Sequence, residues 1–252
     1  MSVPLVWCMR RDVTSVVWKA ALLFMTAMLF SGIIMTHSRG GSVTMAVVLL
    51  LLTLRSKRKF AMVIGLAILI GPAIYLVQDT YVARMSTLQD PTQEQSAMSR
   101  VQLAKAAIDT WRDYPFLGMG FGSRASRHIL NANKDQTGSV VHNTYLQMLA
   151  DSGIFAGVIY VGLLWGTILW LEFSRRKTRR LLPHLANIPE ALQLSLIAFG
   201  VGCTFLSRIQ FDFTYMLLMA SAAWWNISRV EFAALAAPAA AEHEPEAVLE
   251  AA

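Results

Sequence analysis

Three residues of this chain have side chains suited to chemistry on a phosphate or a hydroxyl group: Arg39, Arg100 and His142. His142 stands where a long polar stretch meets an apolar segment, and imidazole is the side chain best suited to act as a general base near neutral pH. A structural role is the alternative for a single histidine. His37, which closely precedes Arg39, is a weaker candidate of the same kind.

Arg39 precedes an apolar run, Val43 to Leu54, that is too short to cross a membrane by itself. A helix of this length spans about 18 Å at ~1.5 Å per residue, whereas the hydrocarbon core is ~30 Å thick. The helix must therefore begin earlier, which draws Arg39 to the membrane boundary. A charge at that depth is costly to bury, so it is either part of a functional site or an interfacial anchor.

Arg100 lies in a segment with helical periodicity, Met98 to Asp113, which Ser96 or Ser99 could cap. Eleven steps of about 100° bring Arg100 onto the same face as Trp111, which is the apolar face. This position, close to the positive end of the helix dipole, favours an anion site. The alternative is a guanidinium that reaches the lipid headgroups.

Other kinds of site are disfavoured by the sequence. No histidine and acid pair falls at a helical ligand spacing in the polar stretch, and Cys8 and Cys203 do not form a ligand motif, so neither a metal site nor a disulfide is expected. Gly118, Gly120 and Gly122 follow no parallel strand, as a nucleotide-binding loop would require. We interpret these glycines as a tight turn that ends the Arg100 helix after Pro115.

Two basic clusters each follow a long apolar run and bracket the longest polar stretch of the chain. They are Arg55, Lys57, Arg58 and Lys59, and then Arg175, Arg176, Lys177, Arg179 and Arg180. By the positive-inside tendency both clusters stay in the cytoplasm. One span leads out from the first cluster and one leads back to the second, so the loop 78–142 is expected on the outer face. A transfer reaction there needs a donor that has already crossed the membrane.

The composition is that of a membrane protein, with 55% hydrophobic and 15% charged residues. The net charge of +6 is concentrated at span ends rather than on a soluble face, which excludes nucleic acid as a partner. We predict an all-α polytopic membrane protein with about six spans and a helical loop between spans three and four. The expected spans are 13–35, 38–54, 60–77, 154–173, 191–206 and 213–227.

Two further features complete the predicted organisation. A short outer helix from Asn143 to Ala150 should be separated from the fourth span by a break at 151–153. The tail 235–252, rich in Ala, Pro and Glu, is expected to be disordered and cytoplasmic. The first apolar segment has full length and no convincing cleavage site, so no cleavable signal peptide is expected.

Three segments together resemble the O-antigen ligase and polymerase family over roughly residues 20 to 175. They are Thr36-His-Ser-Arg39-Gly-Gly, then Ser99-Arg100 leading to Trp111-Arg-Asp-Tyr-Pro-Phe-Leu-Gly-Met-Gly-Phe-Gly122, then Val141-His142-Asn-Thr-Tyr-Leu-Gln147 followed by Asp151-Ser-Gly153. Each motif is short. Their order and their placement on one membrane face make the resemblance specific.

The resemblance implies a metal-independent glycosyltransferase, without a cofactor, in the inner membrane of a bacterium. Its loop would be periplasmic, and it would move glycan from undecaprenyl pyrophosphate to a glycan, lipid or protein acceptor. Arg39 and Arg100 would correspond to the pyrophosphate-binding arginines of the family, and His142 to its essential histidine.

The resemblance leaves three activities open: a ligase, a polysaccharide polymerase, and a non-catalytic truncated subunit that binds lipid-linked glycan. Members of the family have several more helices before the first of these segments. A partner that supplies such helices is therefore one expectation, beside a compact form of the enzyme.

Overall fold

The computed structural model describes residues 1–36, 38–56, 58–65, 67–68, 91–120, 141–207, 209 and 211–241, without the side chains of residues 39, 91–99 and 236–241. Every regular element in this part of the chain is helical, which confirms the predicted fold class. The helices are α1 Ser2–Asp12, α2 Val16–Met35, α3 Arg39–Arg55, α4 Pro91–Asp113, α5 Thr144–Leu181, α6 Asn187–Gly202 and α7 Asp212–Ala241, with a short 3-10 turn at Pro183–Leu185.

Three described helices are long and apolar enough to cross a membrane: Val16–Met35, Thr144–Leu181 and Pro183–Gly202. Gly40–Arg55 is a shorter apolar helix. Of the predicted third span 60–77, residues 60–65 and 67–68 are helical and the remainder lies outside the described residues. The total of six spans therefore stays a prediction.

Some helix ends differ from the predicted ranges. α6 begins at Asn187 and ends at Gly202, four residues earlier at each end than the predicted fifth span. α7 runs on to Ala241, into the segment expected to be disordered from residue 235. Alanine is the strongest helix former, so the Ala-rich sequence extends the helix where composition alone suggested disorder. Residues 242–252 lie outside the described part.

The amino-terminal helix α1 was not expected from the sequence. Its apolar residues Val3, Val6 and Trp7 are buried, and the helix packs against α2 and α6. The Arg11 guanidinium at its end donates to Glu190 of α6 at 3.1 Å. An isolated helix of this length is marginal in water, so α1 depends on these contacts for its stability.

α6 is the central helix of the bundle. It packs against α1 and α3 on one side and against α5 and α7 on the other. Leu194 belongs to the first of the two resulting apolar clusters, whereas Leu196 belongs to the second. Both leucines are completely buried.

One end of the bundle is held by a carboxylate surrounded by arginines, which we call the Glu172 cluster. Glu172 accepts hydrogen bonds from Arg55 at 3.3 Å, from Arg175 at 2.7 Å and from Arg176 at 2.7 Å. Arg55 also donates to Gln193 of α6 at 2.7 Å. Because Arg55 comes from the first basic cluster and the other two from the second, both clusters lie at the same end of the bundle, as the topology argument requires.

Candidate active site

His142 lies at the opposite end of the bundle and is held from both sides. Val141 is buried beside Ala107 of α4 and Ala150 of α5. On the other side, the Thr144 N–H donates to the Cys203 carbonyl at 2.8 Å, and the Thr144 hydroxyl donates to the Leu206 carbonyl.

The backbone of His142 has φ = 53°, the only positive value at a non-glycine residue in the described chain. A left-handed conformation costs a non-glycine residue about 1–2 kcal/mol, so the surrounding contacts must enforce it. Directly after it, the Asn143 side chain caps α5 by accepting from the Leu146 N–H at 3.0 Å. Strain of this kind is frequent at functional sites, where it aims a side chain.

Arg100 is the second predicted site residue, and its side chain is exposed. It lies one turn before the buried residues Leu103 and Ala107, beyond the end of the packed interface with α5. One expectation is thus corrected. Arg100 is not near the positive end of the helix dipole, because α4 already begins at Pro91 and the dipole acts only within the first turn.

Arg100 lies within electrostatic reach of His142. The pKa of His142 is lowered from its usual value, first because the imidazole is partly buried and second because the positive charge of Arg100 repels a proton there. Both causes favour the neutral imidazole, which is the form that can accept a proton. The pair therefore combines an available base with an exposed cation beside it.

Arg39, the third predicted residue, is the first residue of α3, and its side chain is not described. Its position is fixed by its neighbours. Ser38 caps the helix by accepting from the Gly41 N–H at 3.2 Å. Gly40 packs so closely on the segment that follows α6 that an added Cβ would lie 2.5 Å from the Phe205 Cβ.

The segment 203–206 contacts both the start of α3 and the start of α5. Phe205 contacts the start of α3, while Cys203 and Leu206 accept the hydrogen bonds of Thr144. The backbone of Arg39 and the backbone of His142 therefore adjoin the same short stretch of chain. The structure places the Arg100 charge within electrostatic reach of His142 and the Arg39 backbone at the same end of the bundle. His37 lies outside the described residues.

The predicted break in α5 is confirmed at Gly153, which has φ = 75° and ψ = −175°. The helix folds back on itself there. Leu149 packs on Gly157 across the bend, and the Trp165 indole N–H donates to the Tyr145 hydroxyl at 3.3 Å. This fold-back carries the short helix, with His142 before its first turn, against the membrane-crossing half of α5.

The predicted glycine turn is confirmed at Gly118 and Gly120, whereas Gly122 lies outside the described residues. The turn is hydrogen-bonded to the bend in α5. The Ile154 N–H donates to the Pro115 carbonyl at 2.8 Å, and Met119 and Gly120 donate to the Ala150 and Asp151 carbonyls at 2.9 Å each. The backbones approach so closely that a Cβ on Gly118 would lie 2.4 Å from the Asp151 carbonyl carbon. The turn and the bend thus fix the end of α4 on α5.

Sequence reasoning missed Asp151 as a functional group, because Asp-Ser-Gly was interpreted only as a helix break. Its carboxyl group is buried and accepts one hydrogen bond, from the Gln147 amide at 3.3 Å. Burial raises the pKa of this carboxyl group, and the Gln147 hydrogen bond opposes the shift. All charged side chains described on α4 are exposed, so none of them faces Asp151 across the interface.

A cavity of about 830 Å³ lies between α1, α2, α3 and α6. Its lining is almost entirely apolar and includes Phe30 and Val48 inside the bundle. Thr36, Ser38 and Leu206 line it at the end where α3 begins. The cavity therefore leads from the interior of the bundle to the backbone of Arg39.

Among the described residues, no three His, Cys, Asp or Glu side chains lie close enough together to hold a metal ion. The groups brought to this end of the bundle are instead a neutral imidazole, guanidinium-bearing residues and an apolar cavity. A neutral imidazole can accept a proton, and a guanidinium group can pair with an anion.

Comparison with known proteins agrees with this description. No curated protein and no solved structure matches the chain. A family model described as O-Antigen ligase matches residues 5–161, which is more than half of the sequence and includes Arg39, Arg100 and His142. The chain therefore belongs to the O-antigen ligase family.

Proposed function

We propose that this protein transfers glycan from an undecaprenyl-pyrophosphate-linked donor to an acceptor hydroxyl group on the outer, periplasmic face of the bacterial cytoplasmic membrane. Membership of the O-antigen ligase family supports glycan transfer of the ligase or polymerase type. The single observation that carries the site assignment is that a partly buried imidazole, on a backbone held in a left-handed conformation, lies within electrostatic reach of the exposed Arg100 guanidinium.

Arg100 and Arg39 are the proposed ligands of the donor diphosphate. A guanidinium can pair with two phosphate oxygens at once, and its charge persists at any physiological pH. Because Arg100 is exposed, its guanidinium group is available to a ligand. Arg39 begins α3, so the donor phosphates would also meet the N–H groups of that helix end.

The apolar cavity is the proposed site of the first isoprene units of the donor. Ser38, next to the backbone of Arg39, lines it at one end, and it continues into the bundle between α2 and α3. An isoprenoid chain is wholly apolar, so it gains free energy from leaving water for such a lining. Placing the chain there would put the diphosphate at the start of α3.

His142 is the proposed general base. The acceptor hydroxyl oxygen attacks the anomeric carbon, and its proton passes to the neutral imidazole. The bond between the anomeric carbon and the diphosphate oxygen breaks, and its electron pair leaves with undecaprenyl diphosphate. Guanidinium groups stabilise the charge that develops on this leaving group, which is the role that a metal ion has in other enzymes. Attack opposite the leaving group inverts the anomeric centre.

The test is the surface glycan profile of a deletion strain, complemented with the wild-type gene or with a His142→Asn variant. Loss of all attached polymer identifies a ligase, whereas attachment of single repeat units alone identifies a polymerase. We expect one of these two profiles, restored by the wild-type gene and not by the variant. An unchanged profile in the deletion strain contradicts the proposal and favours a non-catalytic subunit.

A further inference from the structure

The turn 114–117 carries apolar side chains that are largely exposed in the described structure. Phe116 is 62% exposed and Leu117 is 82% exposed, the highest fraction of any large hydrophobic side chain in the described chain. Tyr114, beside them, is also exposed. Contiguous exposed apolar groups on a folded protein indicate a surface that another phase or molecule covers.

This turn cannot fold away from its position, because its backbone is attached to α5. Pro115 accepts the Ile154 N–H at 2.8 Å directly after the bend. On the other side, a Cβ on Gly153 would lie 2.1 Å from the Phe116 carbonyl oxygen, so the two backbones are in full contact. The exposed side chains are therefore presented by a fixed scaffold.

The exposed turn continues the outward-facing surface of a membrane-crossing helix. The Phe116 ring stacks on Phe155 with the ring centres 5.9 Å apart. Phe155 is 61% exposed, and Val158 and Ile159, one turn further along the same face, are 61% and 69% exposed. This half of α5 is apolar enough to cross a membrane. The outward face of this half of α5 contacts lipid. Phe116 and Leu117 extend its exposed apolar surface beyond Phe155.

We propose that the turn 114–117 is a membrane anchor, in which Phe116 and Leu117 insert into the lipid leaflet on the His142 side of the bundle. Tyr114 then lies at the headgroup level, where aromatic side chains with a polar tip are favoured. The exposed charges of α4, such as Asp109 and Arg112, remain in water. The anchor holds the end of α4 at the membrane surface and so sets the height of Arg100 and His142 relative to the lipid. It does not depend on any transfer activity.

The test uses nitroxide spin labels on single cysteines in a chain with Cys8→Ser and Cys203→Ser, reconstituted in vesicles of phosphatidylethanolamine and phosphatidylglycerol. Leu117→Cys probes the turn. Val158→Cys is the lipid-exposed reference and Asp109→Cys the water-exposed reference. All three positions are exposed, so the labels leave the packing intact. Oxygen partitions into lipid and a nickel chelate into water, and the ratio of their collision rates with the label reports depth.

We expect the ratio at residue 117 to match that at residue 158 and to exceed that at residue 109 several-fold. A ratio equal to that at residue 109 would place the turn in water and overturn the proposal. Low collision rates with both reagents would mean that a protein surface covers the turn, which also overturns it. As a second measurement, a photoreactive amino acid at position 117 should crosslink to lipid, and crosslinking to a second protein would contradict the anchor.

Discussion

The positive charge of Arg100 lies close enough to His142 to lower the pKa of the imidazole, although Arg100 belongs to α4 and His142 precedes α5. The packing of Ala107 against Val141 and Ala150 sets this relationship. Arg100 is the proposed ligand of the donor diphosphate and His142 is the proposed general base. The protonation of His142 therefore depends on the charge of Arg100.

Arg100→Gln should therefore move the acidic limb of the pH profile of kcat/KM to higher pH. The base must be unprotonated, and removing the neighbouring charge lets the His142 pKa rise toward its usual value of 6.5. Arg112→Gln is the matched control, since Arg112 is exposed on the same helix and pairs with Asp109. An NMR titration of His142 gives the same comparison without activity. Equal pKa values for His142 in wild type and Arg100→Gln would refute the electrostatic coupling.

His142→Asn should reduce transfer by about 10²–10⁴-fold, the usual contribution of a general base, while donor binding changes little. Asparagine tolerates the left-handed backbone that His142 adopts, so this variant removes the imidazole without changing the local chain conformation. Turnover and donor affinity are measured separately on the purified protein in lipid. His184→Asn, at an exposed histidine in the turn before α6, is the control. Near-normal turnover of His142→Asn would remove histidine from the mechanism.

Transfer should persist in the presence of a chelator. In the proposed mechanism Arg39 and Arg100 neutralise the charge of the diphosphate leaving group. EDTA removes divalent cations and leaves guanidinium groups unchanged. The measurement is the transfer rate before and after dialysis against EDTA. Complete loss of transfer, with recovery on addition of a divalent cation, would show that the arginines were given the wrong role.

Gly153→Ala and Gly118→Ala should both destabilise the protein by more than the cost of a left-handed alanine, which is about 1–2 kcal/mol. Each residue has a positive φ, and a new Cβ would meet backbone atoms at 2.1 Å and 2.4 Å respectively. Gly120→Ala is the control, because Gly120 also has a positive φ but open space around the Cβ position. Thermal unfolding in detergent measures the difference. Three equal losses of stability would mean that the close contact of turn and bend contributes nothing.

A cysteine at Arg112 should react with a membrane-impermeant thiol reagent in intact spheroplasts, whereas one at Arg179 should react only after permeabilisation. Both side chains are exposed, and Cys8 and Cys203 are buried, so the native thiols should give little background. Thr178 would be a poor choice for the inner position because it is completely buried. Labelling of Arg179→Cys in intact spheroplasts would reverse the predicted topology.

Much of this architecture can be predicted from the sequence, because hydrophobic periodicity and turn chemistry are local signals. The all-helical membrane fold, the bend at Gly153 and the glycine turn after Pro115 are confirmed, and so is the resemblance to the O-antigen ligase family. The roles of Arg39, Arg100 and His142 stay predictions.

Features that depend on tertiary packing could not be predicted in the same way. α1 is stabilised by contacts with α6, and no pattern within its few residues indicates that partner. The burial of Asp151 follows from the turn that covers it, and the exposure of Arg100 follows from where the α4 interface with α5 stops. The left-handed backbone of His142 results from anchors on both sides of it.

The Glu172 cluster also has a consequence for biogenesis. Arg55 and Arg175 belong to the charges expected to orient the chain during membrane insertion, and the same guanidinium groups later join α3 and α5 through one carboxylate. The same arginines therefore contribute both to the orientation of the chain in the membrane and to the association of α3 with α5. A charge-reversal experiment meant to invert the topology would also break the contact that joins the helices, and its phenotype would combine misinsertion with failed assembly. Arg180, which is exposed on α5 outside the Glu172 cluster, allows the two to be separated.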